Sequence, residues 1–565
     1  MRLGFMPAAV AAASLALAAV PAAAVPADLQ QRIDAWLAEA IPADGPGVAV
    51  IVTDDGETVY AGGRGLADVE ARTPVTPQTV FRLGSITKQF TAATILQLVD
   101  EGRISLDDPV SRFFPDFPQP GASATVAQLL NHTSGIQSYT GIPGWMVEAN
   151  TAREHSTAEM IAVFRDLPSP SQPGERWDYN NSGYVLLGAI IEQVTGMPWH
   201  QAVEERIARP LGLSTLRYGV DGEEALDEMA DGYSRGPDGV RPANRIHMSV
   251  PHAAGALIGS VEDLARWAAA LHRGRVISAG SYERMTATTT TLADGTTFPY
   301  GFGLFGAEVR GRRALEHGGD IFGFSTESIY FPEEDLFIAI MANSDRPAAD
   351  LGVALRRIAA LAHGDPYPEF RPVPVDAAAL EPYFGVYTLP EDAGERRFYT
   401  RDGKLYTRRS GGSELEAFAA GDNRFFYGPG SLTWFELGRD PAGNPTMAMH
   451  QNGEQTAELS VRAGPIPPEP AAFAVPRSTL ETYVGRYAAP PGPVTVAWGE
   501  GDTLTVQLGG QSALPLRAAS ATEFEVQGVD ARVVFHLEGD AVSRLVIHQG
   551  GRELVAPRAE GAPAD

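Results

Sequence analysis

Two proline-rich stretches decide how much of this chain any one core can use. HGDPYPEFRPVPV (363–375) and GPIPPEPAAFAVP (464–476) lack an apolar period and read as semi-rigid linkers. At 565 residues the chain exceeds what a single core holds, and these stretches divide it into units near 25–365, 377–463 and 477–560. The last two units echo each other. LEPYFGVYTL starts at Leu380 and LETYVGRYAA at Leu480, while MAMHQNG ending at Gly453 is matched by LVIHQGG ending at Gly551. Paired landmarks at a common offset argue for duplication. Between them run short alternating stretches such as KLYTRR, TLTVQL and RVVFHL, set off by Gly, Asp and Asn turns. Each tail unit is therefore expected to be a small antiparallel β-barrel or sandwich.

The first unit mixes two periods. Apolar helical runs (28–40, 86–99, 184–194, 261–271, 349–361) stand between strand hairpins, VAVIVTDDGETVYAGG near the start and STESIYFPEEDLFIAIMAN near the end. Strands at both ends with helices between them predict an α+β sandwich: an antiparallel sheet closed from N- and C-terminal pieces and flanked by helices.

Charge and leader restrict the setting. Seventy acidic against 44 basic residues leave a formal charge of −26, which repels nucleic acid and anionic membrane surfaces. Residues 1–24 carry Arg2, an Ala/Val/Leu run and Pro21-Ala22-Ala23-Ala24, the pattern of a cleaved signal peptide. With no cysteine there is no lipid-anchored thiol, disulfide or thiolate metal site. A periplasmic or secreted protein without a stable membrane anchor is expected; its oligomeric state is left open.

Three separated motifs carry chemistry. In FRLGSITKQF, Gly84 allows a turn and Ser85 is expected at the first position of a helix, where free amides favour negative charge on its oxygen. Lys88 falls one turn on, on the same face, among apolar neighbours that depress its pKa. In WDYNNSGYVLLG, Tyr179 and Asn181 meet at a loop–helix junction. In ALEHGGDIFGF a short strand ends in His317, and Gly318-Gly319 permit close approach to backbone amides. Each motif alone also reads as ordinary structure: a helix cap, a core tyrosine, a structural histidine.

Taken together, the order S-x-x-K, Y-x-N, H-x-G, with LLNHTSG at 129–135, PGERWDYNNSGYVLLGAIIEQVTG at 173–196 and PLGLSTL at 210–216, resembles the class C β-lactamase and D-peptidase superfamily of penicillin-recognising serine enzymes. The resemblance covers nearly all of residues 28–362. It implies the β-lactamase/transpeptidase-like fold with an all-helical subdomain and an acyl-enzyme on Ser85. Lys88 and Tyr179 would share proton transfer, Asn181 would hold Lys88 and the substrate amide, and the amides of Ser85 and Asp320 would form the oxyanion hole beside Gly318 and Gly319. His317 would contact substrate or help move the proton. No cofactor or metal is implied, and the partner is a small-molecule or short-peptide substrate.

One departure is informative. Most β-lactamases and D,D-peptidases carry Lys-Thr-Gly where this chain has His317-Gly318-Gly319. A histidine, with an unperturbed pKa near 6.5, is a poorer clamp for a substrate carboxylate at neutral pH. H-x-G is similar to the D-aminopeptidase, D-amidase and esterase branches, and two tail barrels match the bacterial D-aminopeptidase architecture, in which a loop of the last barrel reaches the active site. Asp530 in EVQGVDARVVF is the acidic residue such a loop would offer. A carboxylesterase, a weak β-lactamase or a catalytically silent penicillin-fold binder are the alternatives; the presence of Ser85, Lys88 and Tyr179 speaks against the last. GYSRG (232–236) and GFGLFG (301–306) mimic an esterase elbow and a nucleotide loop, but neither is followed by the helix its mechanism requires. Glu333, Glu334 and Asp335 suit a solvated turn, and His132 is read as structural.

Overall fold

The computed structural model describes residues 25–559 apart from 220–227, 237–238, 391–393, 469–472, 490–491, 500, 502, 510, 540 and 551. The expected leader (1–24) and part of the second proline-rich stretch thus lie outside the described residues.

The first unit is built on one antiparallel sheet. Its strands are β1 (Val48–Asp54), β2 (Glu57–Arg64), β3 (Phe305–Val309), β4 (Arg312–Ile321), β5 (Phe324–Phe331) and β6 (Leu336–Ala342), in the order β3-β4-β5-β6-β1-β2. N- and C-terminal pieces meet where β1 pairs with β6, Val48 opposite Ala342 and Asp54 opposite Leu336. Asp55 and Gly56, both at positive φ, make the two-residue turn into β2.

Five helices carry the packing: α1 (Leu29–Ala40), α2 (Thr87–Asp100), α3 (Asn181–Thr195), α4 (Val261–His272) and α5 (Leu351–Ala362). Val48, Val50 and Val52 share one core with Ile338, Ile340 and the inner sides of α1 and α5. Ala49 and Ile51 face the other core, with Met341, Phe90, Leu187 and Trp267. Buried on both faces, β1 shows no polar alternation in VAVIV. α2 is buried along its first ten residues, so its start is held from all sides; that start carries the second motif residue, Lys88.

The tail follows as two barrels. Residues 385–464 form a closed eight-stranded barrel, and residues 485–557 form eight strands in sequential order, with Tyr487 bridged to Arg558 across the seam. The repeated Y-x-G-x-Y has one structural meaning in both. Tyr387 Oη donates to Tyr383 O (2.6 Å) and Tyr487 Oη to Tyr483 O (2.7 Å). Gly385 and Gly485 sit at φ 157° and 150°, and an arginine closes each corner: Arg462 of the last strand on Phe384 O, and Arg558, just past the last strand, on Val484 O.

Polar contacts join neighbouring units. Arg310, in the β3–β4 turn, donates to both carboxylate oxygens of Asp365 (2.8 and 2.7 Å) and to Gly453 O (2.9 Å), tying the edge of the six-stranded sheet to the first barrel. The second barrel docks on the first through Asp530: its carboxylate accepts from Gly411 N–H (2.5 Å), and its own N–H donates to Gly412 O (3.1 Å). Asp530 therefore takes part in the barrel–barrel contact.

Candidate active site

Ser85 does not open the α-helix, as its spacing suggested; it sits in a single 3-10 turn, Gly84–Ile86, and α2 begins at Thr87. The reason is local crowding. Gly84 adopts φ 51°, and a Cβ there would lie 2.9 Å from Gly319 C and 3.0 Å from Asp320 N. From the other side, a Cβ on Gly319 would lie 2.1 Å from Leu83 O and 2.9 Å from Ser85 N. Two glycines let two backbones touch, so the amides of Ser85 and Asp320 come to one junction, as an oxyanion site requires.

Lys88 Nζ is fully buried and has three partners: Asn181 Oδ1 at 2.8 Å, Ala254 O at 2.9 Å and Ser85 Oγ at 3.1 Å. Burial holds its pKa well below the usual lysine value. The partner set then fixes the geometry of the neutral form. Asn181 Oδ1 and the Ala254 carbonyl can only accept, so they take the two N–H bonds of the amine, and its lone pair faces the Ser85 hydroxyl. Asn181 is in turn held by Ser138 and Thr140.

Tyr179 completes the group. Its hydroxyl bonds with Ser85, and burial together with the charge of Asp320 outweighs that bond and pushes its pKa up, so it stays a phenol. Its ring centre is 4.7 Å from Lys88 Nζ. Asp320 is exposed, its carboxylate accepting from Ser325 Oγ at 2.7 Å. Gly318 faces Glu327, which burial, with Glu316 and Asp320 nearby, pushes up to about 7.

His317 lies within the same cluster but is buried, at 2% exposure. Its Nδ1 bonds to Gly318 O (2.6 Å) and its Nε2 to Tyr300 Oη (3.2 Å). Burial, then the charge of Lys88, lowers its pKa to about 3. Two neighbours, Ala254 and Tyr300, were missed at the sequence level, and His132 is buried and hydrogen-bonded, as its structural reading expected. Ala254 acts through a carbonyl, which has no side-chain signature. Tyr300 lies just before the glycine-rich GFGLFG, and His132 contacts Tyr300 at 3.1 Å. Gly303 of that stretch has a use too: a Cβ there would lie 3.0 Å from Lys88 O. Ser234 of GYSRG sits on a short strand and donates to Asp345 (2.5 Å).

A serine, a desolvated amine and a phenol meeting beside two backbone amides define a serine hydrolase working by acyl transfer. The chain belongs to the Beta-lactamase family, whose model matches residues 34–363. Among curated proteins it is similar to penicillin-binding protein 4* of Bacillus subtilis (strain 168), 28% identical over 72% of this chain and 93% of the relative. It is also similar to the D-aminopeptidase of Gluconobacter oxydans (strain 621H), 32% identical over 58% of this chain and 61% of the relative. The D-aminopeptidase of Brucella anthropi is 31% identical over 64% and 68%. Among solved structures, the octameric penicillin-binding protein homologue from Pyrococcus abyssi aligns at a TM-score of 0.54 with 27% identity, over 76% of this chain and 99% of that one. The D-amino acid amidase from Ochrobactrum anthropi SV3, complexed with L-phenylalanine amide, aligns at 0.50 with 27% identity, over 56% and 90%.

Proposed function

We propose that the chain is an exported hydrolase of D-amino-acid amides or short D-peptides with a free amine. The observation that carries this reading is the neutral third motif: His317 is buried and uncharged, so the place where a lysine would recognise a substrate carboxylate offers no cation. D-aminopeptidases and a D-amino acid amidase among the similar proteins support it.

The chemistry follows from the contacts. Ser85 Oγ attacks the acyl carbon while its proton passes to the Lys88 lone pair, and the developing oxyanion is held by the amides of Ser85 and Asp320. Tyr179, phenolic and touching Ser85, hands a proton to the leaving nitrogen and is reprotonated from Lys88. Water then repeats the attack on the acyl-enzyme, and Ser85 leaves with a proton.

The test is kinetic comparison on D-alanine p-nitroanilide, its L-counterpart, p-nitrophenyl acetate and a chromogenic cephalosporin, with Ser85→Ala as the control. The D-anilide is expected to be the best amide substrate, with all turnover lost in Ser85→Ala. Equal turnover of both enantiomers, or preference for the cephalosporin, would reject the substrate assignment; turnover surviving in Ser85→Ala would reject the nucleophile.

A further inference from the structure

The hydrogen bonds around His317 can be assigned proton by proton. Gly318 O only accepts, so His317 Nδ1 carries the hydrogen and its Nε2 is a bare acceptor. At the other end, Asn180 N–H donates to His132 Nδ1 (3.1 Å), so His132 is protonated on Nε2 and donates to Tyr300 Oη (3.1 Å). Tyr300 has one proton to give. Tyr184 is also in contact with it, but the bare imidazole nitrogen of His317, at 3.2 Å, is the stronger acceptor. All three side chains are essentially buried, His132 at 1%, Tyr300 at 0% and His317 at 2% exposure. A continuous, one-directional chain results: Asn180 N–H, His132, Tyr300, His317, Gly318 C=O.

The ends of this chain are what matter. Asn180 stands between Tyr179 and Asn181 and caps α3 with its side chain. The Gly318 carbonyl precedes by one peptide the Gly319–Asp320 link that packs against Ser85. The relay therefore couples the loop carrying the phenol to the strand carrying the oxyanion amide.

We infer that His317 is a positioning residue rather than a substrate contact, and that with Tyr300 and His132 it locks the third-motif strand in register with the Tyr179 loop. Both ring nitrogens are spent inside the protein, so neither is free for a ligand. This rests on the acyl-transfer chemistry of Ser85 but not on which acyl substrate is used.

Three variants and one spectroscopic measurement test it. His317→Leu removes the bond to Gly318; kcat for p-nitrophenyl acetate is expected to fall about 10²-fold, the scale of a lost oxyanion donor, with KM little changed. In His317→Asn the side-chain amide N–H stands near where Nδ1–H stood, and it is expected to recover about tenfold of that loss. Tyr300→Phe should lower kcat about tenfold, the smaller effect of an interrupted relay. If His317→Asn is as impaired as His317→Leu, Nε2 has a direct role and the inference falls; it falls equally if His317→Leu keeps wild-type kcat. Imidazole ¹⁵N NMR of the wild-type chain reads the tautomers without turnover. His317 protonated on Nδ1, His132 on Nε2, and no second proton on either from pH 8 to pH 5 are expected; a reversed tautomer or a titration in that range overturns the relay. If wild type is not acylated by p-nitrophenyl acetate, the acyl-transfer reading fails while the NMR result still decides this one.

Discussion

At Lys88 chemistry and stability pull in opposite directions. The amine is useful because burial keeps it deprotonated, and the same burial penalises its charged form. Its folded pKa lies below the unfolded value near 10.4, so over that interval the unfolded chain binds more protons. Stability relative to Lys88→Met is therefore expected to rise as pH increases from the folded pKa toward 10.4; denaturant midpoints of the two proteins measured in parallel would show it, and a constant difference would contradict it. Acylation of Ser85 should rise as pH passes through the folded pKa, where the free amine forms, and level off above it. Gly319 offers a steric test. A methyl there meets Leu83 O at 2.1 Å and Ser85 N at 2.9 Å, so Gly319→Ala should cost about 1–3 kcal/mol of stability and at least about tenfold in acylation rate. Ser85 and Lys88 were legible in the sequence because i,i+3 spacing settles their contact locally. Tyr300 was not: it meets His317 and His132 only through tertiary packing, and an imidazole reads the same whether it is structural filler or one link of a relay.

Among elements, the five long helices were legible to within three residues, because each is amphipathic or wholly apolar; a capping side chain, Asn180, Ser260 or Asp350, bounds three of them. The 3-10 turn at Ser85 was not, since Gly84, at positive φ where that turn begins, packs against Gly319 of a strand far along the chain. The tail duplication was visible as Y-x-G-x-Y, but its cause, a tyrosine bonded back four residues under an arginine lid, needed coordinates. Tyr387→Phe and Tyr487→Phe are expected to destabilise their own barrels by similar amounts, about 1 kcal/mol each, read as separate unfolding transitions. The β3–β4 turn is the catalytic unit's hold on the first barrel. Arg310 is 9% exposed at its side chain against 31% for Asp365, so Arg310→Ala should cost about 1–3 kcal/mol and quicken protease cleavage between residues 363 and 376. Cleavage at the wild-type rate would show that other contacts hold the barrel.

For the whole molecule, two β-barrels in the C-terminal region were readable from the repeated landmarks of the tail, whereas the contact between them was not. The resemblance to D-aminopeptidases suggested that the last barrel guards the cleft, yet its acidic loop is spent on Gly411 and Gly412 of its neighbour. Deleting residues 477–565 is accordingly expected to leave kcat/KM for small D-aminoacyl anilides within about twofold of the full chain, as for independent sites; a broadened substrate range would return the barrel to a gating role. The β1–β6 pairing carries one more implication, for how the molecule comes into being. Because the middle of its sheet joins Val48 to Ala342, a nascent chain leaving the ribosome holds an orphan hairpin until that second strand arrives. A premature stop or an early nick would then leave not a smaller catalyst but a bare strand edge, ready to stick to its siblings.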